Sequence, residues 1–412
     1  MGFFRNWQNV RLPEGPIGYP SRLKSGKKGA IVSKRPKMGI LILLMLLIWG
    51  CSPVQLDAES RAKAAQRSGE LLVGIAWPFS VKQDHFREGV ELAVQEINDQ
   101  GGVLGKNVKP LFEDDAGSVS QGKKIAQIFV EQPSLIAVIG HYNSYISIPC
   151  AVIYEYYGLL MLSPGSTSPR LTTQGFQRVF RTIPSDEQIG AQLAELAKRR
   201  NHSQMILLYE DSPYGVGLAN AIEFQAERLN LIIKERIAYD SGMKNYSRIL
   251  EKIRVVEFDG IFLAGYAEDA NLLIRQARNH GITVPFMGGD GLDSPNLWKE
   301  EPEQIEGTIL LSVLHKNNPG SPFQTFSDRY SQFYQTIPDG WAAQGYEAIH
   351  LLAAAIEKAQ SLDPDKIADV LRSQKDWQGL NGVYSFDESG EIQNKNLTVQ
   401  IVRGQKLEYL PD

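Results

Sequence analysis

The residues best suited to binding chemistry follow an apolar run in the first half of the chain. The run LLML at 159–162 is followed by Ser163 and then by PGSTSP, residues 164–169. A simple turn needs about two residues of this kind. Six in succession, with no strong nucleophile or acid among them, indicate hydroxyls and backbone groups presented to a polar partner.

Four further apolar runs end in polar or aromatic residues. HYNS at 141–144 follows LIAVIG, EDSPYG at 210–215 follows MILLY, YAED at 266–269 follows GIFLAG, and Asp290 follows FMGG. Ser144 precedes a helical pattern, and the free N–H groups and dipole of a helix N-terminus suit a carboxylate. The alternative is that Ser144 is a helix N-cap and nothing more.

These groups indicate binding rather than catalysis. They comprise hydroxyls, aromatic rings, backbone N–H groups and acids, with no base spaced beside a nucleophile. The sequence contains no G-x-S-x-G, P-loop or dinucleotide-binding glycine pattern. The six histidines fall at no metal-ligand spacing. We therefore expect no catalytic residues, no metal and no cofactor.

Apolar runs that alternate with amphipathic helical patterns must position these groups. The first helical pattern places one apolar face along the helix, formed by Phe86, Val90, Ala93, Val94 and Ile97. Continuous apolar strands between such helices are typical of parallel sheets that are covered on both faces. The number of units predicts an α/β protein of two Rossmann-like lobes with parallel sheets, joined by a hinge.

The two lobes should face each other across a cleft. We assign residues 70–183 and 316–388 to lobe 1, and residues 184–315 and 389–412 to lobe 2. Ligands of open parallel sheets bind beyond the carboxyl ends of the strands. The HYNS and PGSTSP loops belong to lobe 1 and the others to lobe 2, so both lobes contribute to one predicted site.

The distribution of charge separates the N-terminus from the rest of the chain. The first fifty residues carry nine Lys or Arg against one acid, while the whole chain has a net charge of −4, which leaves −12 for residues 51–412. An acidic mature protein argues against a nucleic-acid partner.

The basic N-terminal region has the layout of an export signal. KRPK at 34–37 precedes the apolar run Ile40–Trp49, which is followed by Gly50 and Cys51. Ten helical residues rise about 15 Å, half of a bilayer core, so the run is too short for a stable span. We assign residues 1–50 to an N-terminal extension and lipoprotein signal peptide, with translation starting nearer Val32 or Met38.

The end of this run resembles the bacterial lipobox, in which the cysteine is acylated and becomes the first residue. Trp49 stands where a small residue is usual, and an uncleaved anchor is the alternative. The resemblance implies lipidation at Cys51, with the polar residues 51–69 as a tether. The other cysteine, Cys150, is expected to be a small buried hydrophobe.

A series of ordered motifs resembles the type I periplasmic binding proteins. The motifs are FREGVELAVQEINDQGGVLGKNVKPLFEDDAGS, VIGHYNS, LMLSPGSTSPRLT, FRTIPSDEQIGAQLA, YEDSPYGVGLA, LIRQARNHGI and FMGGDG. They cover about residues 70–402, and the similarity is closest to the branched-chain amino-acid receptors of ABC importers.

The resemblance implies which residues hold an amino acid by its backbone. Ser144 and Thr167 would receive the α-carboxylate, and the Gly165 carbonyl would accept from the α-ammonium, with Ser166 counted in the same segment. Asp290 matches the family's ammonium-binding acid, which is often Glu. The alternative for Asp290 is a loop cap.

The resemblance also implies aromatic contacts with the ligand. Tyr214 and Tyr266 match second-lobe residues that cover it, and Trp77, Tyr142 and Trp341 match positions that line the side-chain pocket. The alternative for these last three is burial in the core. Asp114 and Asp115, a further family motif, are interpreted as structural.

The implied function is that of an extracytoplasmic receptor. It would capture an amino acid, neutral or branched-chain, and deliver it to an ABC transporter permease. Its partners would be the permease and, through the permease, the ATPase of the transporter. It would sit at the periplasmic or extracellular face of a bacterial membrane, held by a lipid on Cys51. The alternative is a sensory receptor for amino acids or small amides.

Overall fold

The computed structural model describes residues 56–313, 321–380 and 382–410 of the 412-residue chain. The predicted signal peptide, Cys51 and the predicted lobe passage at 315/316 lie outside the described residues. Within them, no helix is both long enough and apolar enough to cross a membrane.

Strands and helices alternate over most of the described chain. The strands are β1 (Glu70–Trp77), β2 (Asn107–Asp114), β3 (Leu135–Gly140), β4 (Leu160–Ser163), β5 (Val179–Arg181), β6 (Gln204–Glu210), β7 (Ile232–Tyr239), β8 (Gly260–Ala264), β9 (Phe286–Gly288), β10 (Ile309–Ser312), β11 (Trp377–Gly379), β12 (Gly382–Phe386), β13 (Ile392–Gln393), β14 (Thr398–Arg403) and β15 (Lys406–Tyr409). The helices are α1 (Ala58–Arg67), α2 (Phe86–Asp99), α3 (Val119–Val130), α4 (Ser144–Tyr156), α5 (Asp186–Arg199), α6 (Pro213–Arg228), α7 (Ser247–Arg254), α8 (Ala267–Asn279), α9 (Pro302–Ile305), α10 (Pro322–Tyr334), α11 (Gly340–Ala359) and α12 (Pro364–Ser373).

The first sheet consists of parallel strands in the order β2-β1-β3-β4-β5. Its central strand β3 is buried along its whole length, which explains why LIAVIG contains no polar side chain. Because the strands run in one direction, their carboxyl ends at Trp77, Gly140 and Ser163 lie along the same edge.

The second sheet has the order β15-β14-β10-β9-β8-β6-β7. The strands from β7 to β10 pair in parallel, while β14 and β15 add an antiparallel extension at the β10 edge. The carboxyl ends Glu210, Ala264 and Gly288 again share one edge. Two lobes with parallel-rich sheets confirm the predicted fold class.

The chain returns to the first lobe with helices α10–α12 and a small antiparallel sheet, β11-β12-β13. Helix α11 packs on α2, and the Arg181 N–H of β5 donates to the Gly390 carbonyl at 2.9 Å. The passage into the second sheet then falls between Gln393 and Thr398, whereas the sequence placed it at 388/389. The lobe boundaries as complete residue ranges stay a prediction.

The predicted tether over residues 51–69 is corrected by helix α1. Asp57 accepts a hydrogen bond from the Ser60 N–H at 2.8 Å and caps the helix. Three residues of the helix are buried, namely Ala58, Arg61 and Ala65. Residues 58–67 therefore belong to the folded body, although their low hydrophobicity is typical of a linker.

Arg61 fixes α1 to the first lobe through backbone carbonyls. Its fully buried guanidinium donates to the carbonyls of Val130 (2.7 Å), Gln132 (2.9 Å), Leu135 (3.1 Å) and Tyr157 (2.7 Å). The carbonyls of Val130, Gln132 and Tyr157 lie at or just beyond the C-terminal ends of α3 and α4, where helices leave acceptors without intrahelical partners, and Leu135 is the first residue of β3. Burial lowers the pKa of Arg61 to about 10, so the side chain remains charged at neutral pH.

We expect Arg61→Met to lower the free energy of unfolding by about 3 kcal/mol. Methionine retains an apolar stem but leaves several buried carbonyls without a donor. Urea denaturation followed by circular dichroism measures the change. Arg67→Met, at an exposed position in the last turn of the same helix, is the matched control and should change the value by less than about 0.5 kcal/mol. Equal effects of the two substitutions would show that α1 does not dock through Arg61.

Candidate ligand-binding site

The predicted ligand-binding residues lie together where the carboxyl edges of the two sheets face each other. All of them are buried: Trp77, Tyr142, Ser144, Gly165, Ser166, Thr167, Tyr214, Tyr266, Asp290 and Trp341. Rings from the two lobes meet directly, with 5.8 Å between the ring centroids of Tyr142 and Tyr266 and 6.3 Å between those of Tyr145 and Tyr266. The structure is therefore a closed form of the cleft.

Three aromatic side chains form one wall of the cleft in lobe 1. Tyr142 lies 5.2 Å from Trp77 and 5.0 Å from Trp341, and the two tryptophans are 5.7 Å apart, all between ring centroids. Trp77 also stacks on Phe86 of α2 at 3.8 Å. Because Phe86 belongs to the core of the lobe, Trp77 is part of both the cleft wall and the core.

Gly165 lies directly against this wall. A β-carbon at position 165 would come within 2.8 Å of the Tyr142 ring and 2.9 Å of the Trp77 ring. The absence of a side chain therefore allows the backbone of the PGSTSP segment to approach the aromatic rings.

Ser144 occupies the first turn of α4 rather than its N-cap. The cap residue is Asn143, and it makes no side-chain capping bond, so the alternative that Ser144 is a helix N-cap and nothing more is wrong. The Ser144 hydroxyl instead accepts from the Ser168 N–H at 3.3 Å. This contact joins the start of α4 to the PGSTSP segment.

Ser166 and Thr167 differ in how their hydroxyls are used. The Ser166 hydroxyl donates to the Tyr142 carbonyl at 3.1 Å and also bonds the Ser147 hydroxyl. The buried Thr167 hydroxyl makes no hydrogen bond of ordinary geometry with another described residue. Ser166 thus holds the segment in place, while Thr167 has capacity for a further partner.

Asp290 and Tyr214 form the opposing group in lobe 2. The Tyr214 hydroxyl donates to Asp290 Oδ1 at 3.3 Å and accepts from the Gly291 N–H at 3.0 Å. Tyr214 is held at the start of α6 because the Ser212 hydroxyl caps that helix by accepting from the Gly215 N–H at 3.1 Å. Burial raises the pKa of the Asp290 carboxyl to about 7.

Asp186, at the N-terminus of α5, is a buried acid that the sequence analysis missed. Its N–H donates to the Thr167 carbonyl at 2.8 Å, and neither of its carboxylate oxygens makes a hydrogen bond with another described residue. Burial raises the pKa of Asp186 well above its ordinary value, and the neighbouring Thr167 hydroxyl opposes that rise. The carboxyl therefore lies at the lobe boundary in an environment that favours its neutral form.

Lys82 and Asp84, in the loop after β1, were also missed. The Lys82 ammonium is buried, 4.2 Å from the centre of the Tyr142 ring and 4.6 Å from that of Trp341. Asp84 Oδ2 accepts from Trp77 Nε1 at 3.1 Å and lies 3.8 Å from Lys82 Nζ. Burial raises the pKa of Asp84 to about 7, and Lys82 opposes that rise.

Asp293 connects this group to lobe 2. Its carbonyl accepts from Trp341 Nε1 at 2.7 Å and from Lys82 Nζ at 3.3 Å. Its carboxylate accepts from the Ser312 hydroxyl at 2.7 Å and the Val313 N–H at 3.1 Å. Asp293 therefore ties the aromatic wall of one lobe to the end of β10 in the other.

The sequence contained one usable indication of these residues. The loop SVKQDH follows β1, so it emerges at the same sheet edge as the HYNS and PGSTSP loops. Applying the strand-end rule to this loop would have identified Lys82 and Asp84 as candidates. Asp293 follows β9 in the same loop as Asp290, so the rule also applies to Asp293, but its contacts with Lys82 and Trp341 are made by its backbone carbonyl and leave no sign in the sequence.

A buried polar group beneath the site agrees with the structural interpretation of Asp115. Asp115 Oδ2 lies 2.7 Å from His141 Nδ1, and His141 Nε2 lies 3.0 Å from the Tyr154 hydroxyl. Cys150 is buried in the adjacent core, as expected. These contacts fix the strand end that precedes Tyr142.

Comparisons with known proteins agree with this geometry. The chain is 29% identical over 331 residues to a Leu/Ile/Val-binding protein homolog of Brucella suis, covering 78% of this chain and 87% of that protein. It is 28% identical over 327 residues to a leucine-, isoleucine-, valine-, threonine- and alanine-binding protein of Pseudomonas aeruginosa, covering 79% of this chain and 87% of that protein.

A solved structure extends the similarity to the fold. An ABC transporter substrate-binding protein from Desulfitobacterium hafniense, in complex with Leu, is 39% identical with a TM-score of 0.74, over 83% of this chain and 100% of that one. The sequence model described as periplasmic binding protein matches residues 78–406, which include both lobes and every loop of the candidate site. The chain therefore belongs to the periplasmic binding protein family.

Proposed function

We propose that the protein is an extracytoplasmic receptor that captures a free, neutral α-amino acid between its lobes and delivers it to an ABC transporter permease, which is powered by an ATPase. One observation carries the proposal. Ser144, at the start of α4, and Thr167 are buried on the lobe 1 side of one closed cleft, and the Asp290 carboxyl is buried on its lobe 2 side. The rings of Tyr142 and Tyr266 meet between the two sides, and Tyr266 lies beside Tyr214, whose hydroxyl donates to Asp290. A zwitterion supplies the two charges that these groups would bind. The relatives named for leucine, isoleucine and valine give the reference ligands.

The α-carboxylate would lie at the lobe 1 side of the cleft. The hydrogen bonds of α4 begin with the Ile146 N–H, which donates to the Asn143 carbonyl at 3.0 Å. The N–H groups of Ser144 and Tyr145 precede these bonds, and the helix dipole favours an anion there. The Thr167 hydroxyl, which lacks a hydrogen bond to the described residues, and the Ser144 hydroxyl would add donors. Each hydrogen bond to a charged group contributes about 1.5–3 kcal/mol.

The α-ammonium would lie between the Gly165 carbonyl and Asp290. Asp290 is only 2% exposed, so its ionised form needs a cation in the closed cleft. Its side chain is shorter than that of glutamate by one C–C bond, about 1.5 Å. Because of that difference, the lobes must approach closely for Asp290 to contact the ligand, and the closed structure brings them together.

The aromatic residues would enclose the rest of the ligand. Tyr214 and Tyr266, 4.9 Å apart between ring centroids, would cover it from lobe 2. Trp77, Tyr142 and Trp341 would line the side-chain pocket from lobe 1. Ser166 would act by positioning its segment, since its hydroxyl already bonds within lobe 1.

The proposal predicts that free neutral amino acids stabilise the protein and that Asp290→Asn weakens their binding. At a ligand concentration 100 times Kd, the stabilisation should be about 2.7 kcal/mol. The substitution retains the size of the side chain but removes the charge that pairs with the ammonium, so we expect a loss of about 2–4 kcal/mol in binding free energy. A thermal-shift screen of amino acids followed by calorimetry measures both quantities.

The deaminated analogue of the best ligand is the control, because it retains the carboxylate but lacks the ammonium. It should bind the wild type poorly, and Asp290→Asn should narrow the difference between amino acid and analogue. A coupling energy near zero would show that Asp290 does not contact the ammonium. A screen in which only sugars or nucleosides raise the melting temperature would contradict the amino-acid proposal as a whole.

Asp290→Asn should also stabilise the closed form in the absence of ligand, because Asp290 is buried in that form. Burial raises the Asp290 pKa from 3.8 to about 7, so the folded state retains a proton that the unfolded state has lost between these values. Wild-type stability therefore falls as pH rises from about 4 to about 7. The variant lacks this loss of stability, so its free energy of unfolding should exceed that of the wild type by an amount that grows over that pH range and stays constant above it, at about 4 kcal/mol. Urea denaturation at a series of pH values measures it, and a pH-independent difference would contradict the assigned burial cost.

The membrane anchor is a separate part of the proposal. Cys51 lies outside the described residues, and residues 52–57 separate it from the docked helix α1. The resemblance of Ile-Trp-Gly-Cys to a lipobox, after a basic and then an apolar segment, supports acylation of Cys51. The receptor would then stand close to the outer face of the membrane.

Cys51→Ser is expected to release the protein from the membrane fraction or leave it as an unprocessed precursor. The substitution removes the thiol that would carry the lipid, while the amino-acid site remains intact, so the affinity should be unchanged. Cys150→Ser, at the buried cysteine of α4, is the control and should leave membrane association as in the wild type. Normal processing and unchanged membrane retention of Cys51→Ser would contradict lipidation.

A further inference from the structure

Lys82 is a buried cation at the predicted side-chain pocket. It is 4% exposed, and its ammonium lies over the faces of Tyr142 and Trp341, at 4.2 and 4.6 Å from the ring centres. These rings are two of the three that the proposed function assigns to the pocket wall. A ligand side chain placed against this wall would therefore contact the Lys82 ammonium.

The hydrogen-bonding capacity of this ammonium is only partly used. A lysine ammonium has three donors, and among the described residues Lys82 makes one long hydrogen bond, 3.3 Å to the Asp293 carbonyl. Asp84 lies 3.8 Å away, beyond hydrogen-bond distance. The aromatic faces stabilise the charge, but they do not replace the acceptors that water would supply. A hydrogen-bond acceptor on the ligand would satisfy a donor of the Lys82 ammonium that is otherwise unused.

The charges around Lys82 indicate what kind of acceptor fits. Asp84, Asp290 and Asp293 are buried carboxyls that interact electrostatically with Lys82, and Asp339 adds a further negative charge near Asp84 and Asp293. Because carboxyls already outnumber the one cation, a second anionic group on the ligand would be repelled by its surroundings. A neutral acceptor has no such penalty.

We propose that Lys82 is a specificity-determining residue that donates a hydrogen bond to a neutral acceptor, a hydroxyl or amide carbonyl, on the side chain of the bound amino acid. The inference rests on the proposed function and narrows its ligand class. An aliphatic ligand side chain of the same shape as the polar one has no acceptor, so Lys82 donors would remain without hydrogen bonds in the closed cleft. Lys82 thus favours polar neutral amino acids over their aliphatic isosteres.

The test compares isosteric ligand pairs on the wild type and on Lys82→Met. Asparagine and leucine form one pair, and threonine and valine the other. Calorimetry should show that the affinity ratio of polar to aliphatic ligand falls at least about tenfold in the variant, since a charged donor is replaced by an apolar side chain of similar length. Lys82→Gln, which retains a neutral donor, should give an intermediate ratio and provides a second measurement if Lys82→Met folds poorly.

Lys299→Met is the matched control. Lys299 is exposed, and its ammonium bonds Gln83 Oε1 at 3.1 Å between the same two lobes, so it tests the loss of a lysine contact without loss of the pocket cation. Its affinity ratios should equal those of the wild type.

The outcomes separate the two proposals. Binding of amino acids by all variants with unchanged ratios would overturn the role of Lys82 and leave the receptor function standing. Tighter binding of aspartate than of asparagine to the wild type would overturn the neutral ligand class. Failure of the wild type to bind any amino acid would overturn the proposed function itself.

Discussion

The side chains of Asp84, Asp186, Asp290 and Asp293 lie buried where the two lobes of this protein meet. Lys82 is the cation close to Asp84, Asp290 and Asp293, while the buried Arg181 interacts with Asp186. Burial raises the pKa of each of these carboxyls, because their ionised forms have lost the water that would stabilise them. The closed form is therefore under an electrostatic cost that a bound ammonium would relieve. A ligand can make contacts with both lobes only when the lobes meet. Because of the charge imbalance, those contacts would favour the closed form.

Hydrogen bonds connect the cleft to the last passage between the lobes. Lys395 lies between Gln393 and Thr398, where the chain crosses into the second sheet, and its ammonium donates to Gln344 Oε1 at 2.8 Å. The Gln344 amide in turn donates to the Pro164 carbonyl at 3.0 Å, next to the predicted ligand contact Gly165. A rotation of the lobes about this passage would thus act on the PGSTSP segment through two side chains. These two hydrogen bonds provide a direct physical connection between the passage and the PGSTSP segment.

The sequence predicted the features that depend on local pattern. It did not predict contacts between residues that are far apart in the chain. The apolar runs predicted the strands of the two sheets. The polar residues that follow these runs predicted most of the residues of the cleft, because parallel strands end at one edge of a sheet. Arg61 was read as part of a linker, since its acceptors are carbonyls between 69 and 96 residues away. The contact of Lys82 with the Asp293 carbonyl could not be predicted from the sequence, because the two residues are 211 positions apart. Burial of a charge is visible only when its partners are known.

Asp186 and Asp290 show how one closed cleft suits both ends of a zwitterion. Asp186 lies beside Thr167, and burial favours its neutral form although the Thr167 hydroxyl and Arg181 oppose that effect, so the proposed carboxylate position would lie next to an acid that is predominantly uncharged. Asp290, whose pKa is raised to about 7, ionises readily once an ammonium is beside it. The two acids are chemically identical, and only their surroundings distinguish them. Under the proposed function, the carboxylate of the ligand would lie at an end of the cleft that tolerates an anion, and its ammonium at an end where the buried Asp290 carboxylate needs a cation.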